Sequence, residues 1–194
     1  MDKITRTVHS NLHLVALGSN ATEREHSNVQ LLKQAVAEIK AEGLVTLRLS
    51  RLFSTPAFPA GAGPDFVNAA LVVESPLPPE GVLTILHRVE ARMGRVRRER
   101  WGQRVIDLDL LASGDRVLPD EAALRDWMAL PLAEQMRRAP DRLILPHPRM
   151  HERGFVLVPL ADVAPDWRHP LTGQSVREML AALDPAEIAA IRPI

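Results

Sequence analysis

Apolar positions along this chain follow two periods, and the order in which they alternate sets the expected fold. A short apolar run at residues 12–17 ends at Gly18-Ser19-Asn20 and reads as a buried strand entering a turn. Over residues 27–41, Val29, Leu32, Val36 and Ile39 step by 3, 4 and 3, the spacing of one helix face. Gly43 ends that helix. Residues 44–53 then alternate as a strand, with Val45, Leu47 and Leu49 against Thr46, Arg48 and Ser50. A Pro/Gly loop at 55–64 leads into residues 66–73. This strand divides into Phe66, Asn68, Ala70 and Val72 on one face and Val67, Ala69, Leu71 and Val73 on the other. Pro78-Pro79-Glu80 opens a second helix where proline is tolerated, and Val82, Leu86, Val89 and Met93 carry its face until Gly94. Residues 105–111 form the next strand.

The C-terminal third is less regular. Residues 120–138 contain an amphipathic helix (Leu124, Trp127, Met128) broken by Pro131. Pro146-His147-Pro148 is rigid and extended, residues 155–161 start another helix, and Thr172-Gly173-Gln174-Ser175 caps a short helix at 176–183. The order β, α, β, β, α, β predicts an α+β fold of the split βαβ, ferredoxin-like kind. That is an antiparallel sheet with helices packed on it, a three-layer αβα single domain. Residues 1–10 are expected to be a polar extension, residues 11–194 the domain, and about 119–142 a helical insertion. Fold alone assigns no function.

Composition narrows the classes. A length of 194 residues with 46% apolar content suits one domain with a sizeable core. The formal net charge of zero argues against nucleic acid as a partner, because such proteins carry a basic excess. Absence of cysteine excludes disulfides and thiolate metal sites. No apolar run approaches the roughly 20 residues that span a bilayer, and the first ten residues lack an apolar signal core. The expectation is a cytoplasmic protein with no membrane partner.

The chemistry concentrates in residues 95–109, Arg-Val-Arg-Arg-Glu-Arg-Trp-Gly-Gln-Arg-Val-Ile-Asp-Leu-Asp. Between Arg88 and Arg104 there are seven arginines and two glutamates, a local balance of +5. Arg92 and Arg95 suit a helix C-terminus. Arg97, Arg98, Arg100 and Arg104 lie beyond the helix, and such a density of like charge calls for an anion. Guanidinium forks match phosphate oxygens. Asp107 and Asp109, i and i+2, share one face of a strand about 6.5–7 Å apart, close enough to converge on divalent metal. Ile106, Leu108 and Leu110 point the other way and imply a central strand. Trp101 is either a hinge packed on the body or a stacking lid. Phe66 and Asn68 on one strand face suit a flat polar heterocycle, or a core ring beside a satisfied amide. His147, between prolines, is either structural or free to reach a phosphate. Arginines beside paired acids are the parts of phosphoryl-type transfer. A ferredoxin-like module binding nucleotide or RNA without chemistry, and a metal-dependent nuclease, are the rival readings. The first lacks basic excess and the second lacks further carboxylates.

These residues also resemble a known family, the bacterial 6-hydroxymethyl-7,8-dihydropterin pyrophosphokinases. The resemblance runs from about Leu12 to Leu183. It rests on Leu-Gly-Ser-Asn (17–20), Ser-Thr-Pro (54–56), Phe-Val-Asn-Ala-Ala (66–70), Glu90, Gly-Arg-Val-Arg (94–97), Arg-Trp-Gly-Gln-Arg-Val-Ile-Asp-Leu-Asp-Leu-Leu (100–111), Pro-His-Pro-Arg-Met (146–150) and Arg-Gly-Phe-Val-Leu-Val-Pro-Leu (153–160). It implies transfer of the β,γ-diphosphate of ATP, the co-substrate, to the hydroxymethyl group of the pterin, with release of AMP, in folate synthesis. Two Mg²⁺ ions are implied, with Asp107 and Asp109 as ligands. The implied pterin pocket is Thr55, Pro56, Phe58 and Asn68, with Phe66 and Phe155 stacking on the two ring faces. The implied nucleotide site is Glu90, Arg97, Trp101, Arg104, Leu110, His147 and Arg153. Arg95 and Arg104 resemble arginines that act on the phosphate chain and, with Asp107 and Asp109, form the implied catalytic set. A monomer with these two small-molecule partners is expected. Phe66 stands where many members have Tyr, Ala57 and Pro148 replace residues often seen as Pro and Tyr, and the arginine loop is slightly shorter than in some relatives.

Overall fold

In a computed structural model, residues 11–21, 25–57, 63–94 and 105–194 are described. The chain runs β1 (Leu12–Ser19), α1 (Glu25–Ala41), β2 (Val45–Leu49), β3 (Phe53–Thr55), β4 (Phe66–Glu74), α2 (Pro79–Arg92) and β5 (Asp107–Ser113). Then come α3 (Glu121–Met128), α4 (Leu132–Arg137), a 3-10 turn at Met150–Glu152, α5 (Gly154–Val163), α6 (Val176–Ala181), α7 (Pro185–Ala189) and β6 (Arg192–Pro193). The sheet order is β5-β1-β4-β3-β6, with β2 also paired to β4, and the registered pairs are antiparallel.

Strand alternation divides the core into two. Val15 and Leu17 of β1, Val67, Ala69, Leu71 and Val73 of β4, and Leu108 and Leu110 of β5 pack with Leu32 and Ile39 of α1 and Val82, Leu86 and Val89 of α2. On the opposite face Leu14, Ala70, Val72 and Leu111 pack with Val156, Leu157 and Leu160 of α5 and Val176 and Met179 of α6. The two faces of β4 are those that its alternation predicts, and the layers are helix, sheet, helix.

Two expectations are corrected. The single strand over 44–53 is two strands. At Ser50 the amide still donates to the Ala70 carbonyl at 3.0 Å, but the Ala70 amide donates at 2.9 Å to the Ser50 hydroxyl instead of a backbone carbonyl, and regular strand pairing with β4 resumes at Phe53. Val45, Leu47 and Leu49 are 48–55% exposed, because β2 is an outer strand whose pairing with β4 shifts register between Thr46 and Arg48. Nor is β5 central. It lies at the sheet edge, and its apolar alternation reflects burial of one face against α2. The open edge is covered: Glu90 of α2 accepts the Leu108 amide at 2.8 Å, and the His147 amide donates to the Leu111 carbonyl at 2.7 Å.

The C-terminal third is more ordered than its pattern suggests. The helix broken by Pro131 is α3 and α4, with Asp120 capping α3 through the Ala123 amide. Ser175 and Glu178 form a reciprocal capping box on α6. The sequence reading missed α7 and β6, which pack against the α5 N-terminus and β3. Among the described residues, no helix is long and apolar enough to cross a membrane.

Candidate active site

Register places the site residues in rows across one face of the sheet. Asp107 pairs with Gly18, Gly18 with Asn68, and Asn68 with Phe53. Asp109 pairs with Ala16, and Ala16 with Ala70. Paired residues share a face, so both carboxylates, Phe66 and Asn68 lie on the side covered by α5 and α6. Asp107 and Asn68 stand two strand spacings apart, about 9.5 Å. Gly18 floors the gap between them. A Cβ built there would come within 2.8 Å of Asn68 Oδ1 and 3.8 Å of the Phe66 ring. The Ser19 hydroxyl donates to the Val105 carbonyl at 2.8 Å and holds the end of β1 against the start of β5.

At one end of the row Asn68 and Thr55 are both buried, and Asn68 Nδ2 donates to Thr55 Oγ1 at 2.6 Å. Phe66 is half-buried on the same face, and Pro56 follows Thr55 at the surface. Phe155, in the first turn of α5, is 40% exposed, and the Arg153 guanidinium lies 5.6 Å from its ring centroid. Glu187 of α7 accepts the Gly154 amide at 2.9 Å, satisfying the helix start between these two residues.

At the other end a cavity of about 570 Å³ opens beside β5. Asp109, Leu110, His147 and Arg153 line it, so four residues from the metal and nucleotide sets meet in one space. Glu90 is not among the lining residues; it is buried behind them, holding the β5 edge. Burial, reinforced by the cations Arg153 and Arg149, pushes the His147 ring down to about pKa 3. It is therefore neutral at physiological pH. Its Nδ1 accepts the Arg149 amide at 3.1 Å, which leaves the proton on Nε2. Burial also lowers the Arg153 guanidinium, against the favourable fields of Asp109 and Asp107, but arginine stays charged. Arg149 Nε is held by Glu152 at 2.6 Å.

Phe58, Arg95, Arg97, Trp101 and Arg104 lie outside the described residues, as do Arg98 and Arg100. Sequence reasoning missed Gly18 as the floor and Trp127, Arg138, Arg142 and Arg149 as cavity residues. The scarcity of aromatics in the chain was the available signal for Trp127; Gly18 and Arg149 stand inside motifs 17–20 and 146–150 without a role of their own being read there, and nothing local marked Arg138 or Arg142.

Two carboxylates and a neutral imidazole donor beside a half-buried guanidinium, at the edge of an antiparallel sheet, are parts suited to a phosphoryl-transfer enzyme. A family model described as 7,8-dihydro-6-hydroxymethylpterin-pyrophosphokinase (HPPK) matches residues 14–165. The 2-amino-4-hydroxy-6-hydroxymethyldihydropteridine pyrophosphokinase of Methylorubrum extorquens is 37% identical over 175 residues, 90% of this chain and 94% of that protein. Its counterpart in Pseudomonas aeruginosa is 38% identical over 169 residues, 87% of this chain and 89% of that protein. The wild-type HPPK-DHPS of Plasmodium falciparum matches in fold with a TM-score of 0.61 at 15% identity, covering 88% of this chain and 44% of that one. The chain belongs to the HPPK family, and its activity is the pyrophosphokinase step of folate biosynthesis.

Proposed function

We propose that the sheet face from Asp109 to Thr55 carries the transfer of the β,γ-diphosphate of ATP to the hydroxymethyl group of 6-hydroxymethyl-7,8-dihydropterin, giving the pterin diphosphate and AMP. The observation that carries this reading is the row Asp107–Gly18–Asn68, in which a bare glycine separates paired acids from a buried amide on one face. The pterin lies at the Asn68 end. Asn68 and Thr55 meet its polar edge, Pro56 and Phe58 border it, and Phe66 and Phe155 stack on its two faces. The triphosphate lies at the Asp109 end, with Leu110 beside the nucleoside.

Asp107 and Asp109 suit a hard divalent cation, being two carboxylates on one strand face that follow the arginine-rich residues 95–104 in sequence. Asp107 and Asp109 would hold two Mg²⁺ ions, which when bound would supply charge neutralisation for the phosphate chain and polarisation of the attacking hydroxyl. The chain's own groups position the rest. The hydroxymethyl oxygen forms a bond to the β-phosphorus as the bond from that phosphorus to the AMP oxygen breaks. His147 donates its Nε2 proton as a hydrogen bond to a phosphate oxygen without transferring it. Arg153 supplies a half-buried positive charge in the field of both aspartates. Glu90 serves the nucleotide site by fixing β5. From the sequence resemblance, Arg97 and Trp101 contact the nucleotide, and Arg95 and Arg104 act on the phosphate chain during turnover. The enzyme acts as a cytoplasmic monomer.

Phosphorus NMR of the protein with Mg²⁺, ATP and hydroxymethyl-dihydropterin tests the reaction. AMP appearing together with a pterin diphosphate is expected. ADP as the product, or ATP consumption that does not depend on the pterin, would overturn it.

A further inference from the structure

The cavity beside β5 has one wall that the sheet and α2 do not provide. Trp127 of α3 lines it and is the one Trp, Tyr or Phe among the described residues that do. The segment carrying it is pinned close by. Leu118 and Leu145 exchange backbone hydrogen bonds at 2.8 and 3.0 Å just before Pro146-His147, and Leu124 of α3 is fully buried. The Arg138 guanidinium, also in the lining, lies 5.4 Å from the indole centroid, a cation–π contact that braces the ring from the far end of α4.

The cavity mixes charged and apolar chemistry. Asp109 and Arg153 stand with the neutral His147 at the β5 side, Leu83, Leu110 and Ile144 are apolar, and Arg138, Asp141, Arg142 and Arg149 add charge around the lining. Leu83 stands seven residues before Glu90 on α2, about 10 Å along the helix axis from the end of α2 that is tied to Leu108. The cavity therefore extends from Asp109 to Leu83 and Trp127, where apolar side chains beside a charged rim offer a surface for the flat ring of a ligand whose charged tail lies at Asp109 and Arg153.

We propose that Trp127, braced by Arg138, is a specificity-determining residue of the nucleotide site, supplying the aromatic wall against which a purine base lies. This rests on the reading of the cavity as the ATP site. A purine presents more stacking surface to an indole than a pyrimidine does, so the α3–α4 segment sets a preference among nucleoside triphosphates while the acids and cations set the phosphate geometry.

The test measures steady-state constants with ATP and with CTP for Trp127→Ala and Trp127→Phe, alongside Leu83→Trp, which fills the cavity from α2. Trp127→Ala is expected to raise KM for ATP by about five- to thirtyfold, the range of losing one base–aromatic contact at a partly exposed ring. Its kcat at saturating ATP and its pterin KM stay within about twofold. Its preference for ATP over CTP falls, and Trp127→Phe recovers most of both. An unchanged KM for ATP in Trp127→Ala overturns the proposal, as does an equal loss for ATP and CTP, which would mark a structural role. Leu83→Trp separates the two levels. If it abolishes ATP binding while Trp127→Ala has no effect, the cavity is the nucleotide site and only the proposal falls. If ATP binding survives Leu83→Trp, the cavity is not the nucleotide site and both fall.

Discussion

At Gly18 the missing side chain joins the two ends of the cleft. An alanine there would set its Cβ 2.8 Å from Asn68 Oδ1, and the amide, which also holds Thr55, would have to turn aside. Losing one such hydrogen bond corresponds to about tenfold in affinity. Gly18→Ala should therefore raise the dissociation constant for the pterin about tenfold and leave that for ATP unchanged, which titration calorimetry with each ligand would check. Equal losses for both ligands would mean a general disturbance of β1. His147 gives a second case. With its pKa pushed down to about 3, the ring is neutral throughout the working range. Its Cε1 proton resonance should show no titration between pH 5 and 8, and a midpoint near 6.5 would contradict the buried, cation-flanked placement. The aspartates, Asn68 and Phe66 stood out in the sequence because unusual residue types stood at strand spacing, and His147 because prolines flank it. The cavity role of Arg149 was not. Its guanidinium is placed by an ion pair three residues away on an irregular turn, which no periodicity reports.

Helix ends decide how the upper layer sits on the sheet. The N-terminus of α5 has no side-chain cap of its own and takes Glu187 from α7 instead. Arg153 and Phe155 flank that contact. Glu187→Ala should lower stability by about 1 kcal/mol, as for loss of a cap, and raise KM for both substrates. Ser175→Ala removes the capping box of α6, far from the acids in sequence and on a different helix, at a similar cost in stability. Its KM values should be those of the unmodified enzyme. Urea unfolding with parallel kinetics distinguishes the two, and matching KM changes would show that any loosening of the layer acts alike. Elements with a sustained period, namely β1, β4, α1 and α2, were legible from the sequence. The boundary between β2 and β3 was not, because it is set by the Ser50 hydroxyl entering the ladder. The position of β5 was misread, since apolar alternation reports the burial of a face and says nothing of whether a strand edge is paired.

Taken together, two buried histidines and the half-buried His147 make the fold sensitive to acid. Burial is the first cause in each: it lowers His13, brings His169 to about 4 beside His151, and brings His147 to about 3. In the unfolded chain each titrates near 6.5. Below that pH the unfolded chain binds protons that the folded chain refuses, so stability falls as pH drops from about 6.5 towards 4, and these groups add no slope above it. His169 Nδ1 accepts the Leu171 and Thr172 amides at 3.2 and 3.4 Å, and an asparagine oxygen is suited to replace that acceptor. His169→Asn should flatten the acid limb of the urea midpoint measured between pH 4 and 7, while an unchanged slope would show that this residue does not contribute. The three-layer order was legible because each strand keeps its alternation against both helical layers. The closure by α7 and β6 was not, being made by short elements too brief to carry a period.

The assignment on which the rest depends is that Asp107 and Asp109 hold the metal. Mn²⁺ in place of Mg²⁺ makes bound metal countable by electron paramagnetic resonance, with a non-hydrolysable ATP analogue and the pterin present. The unmodified enzyme should bind two Mn²⁺ per chain, and the Asp107→Asn, Asp109→Asn double variant no more than the one that the nucleotide carries. Two Mn²⁺ retained in the double variant would contradict the assignment.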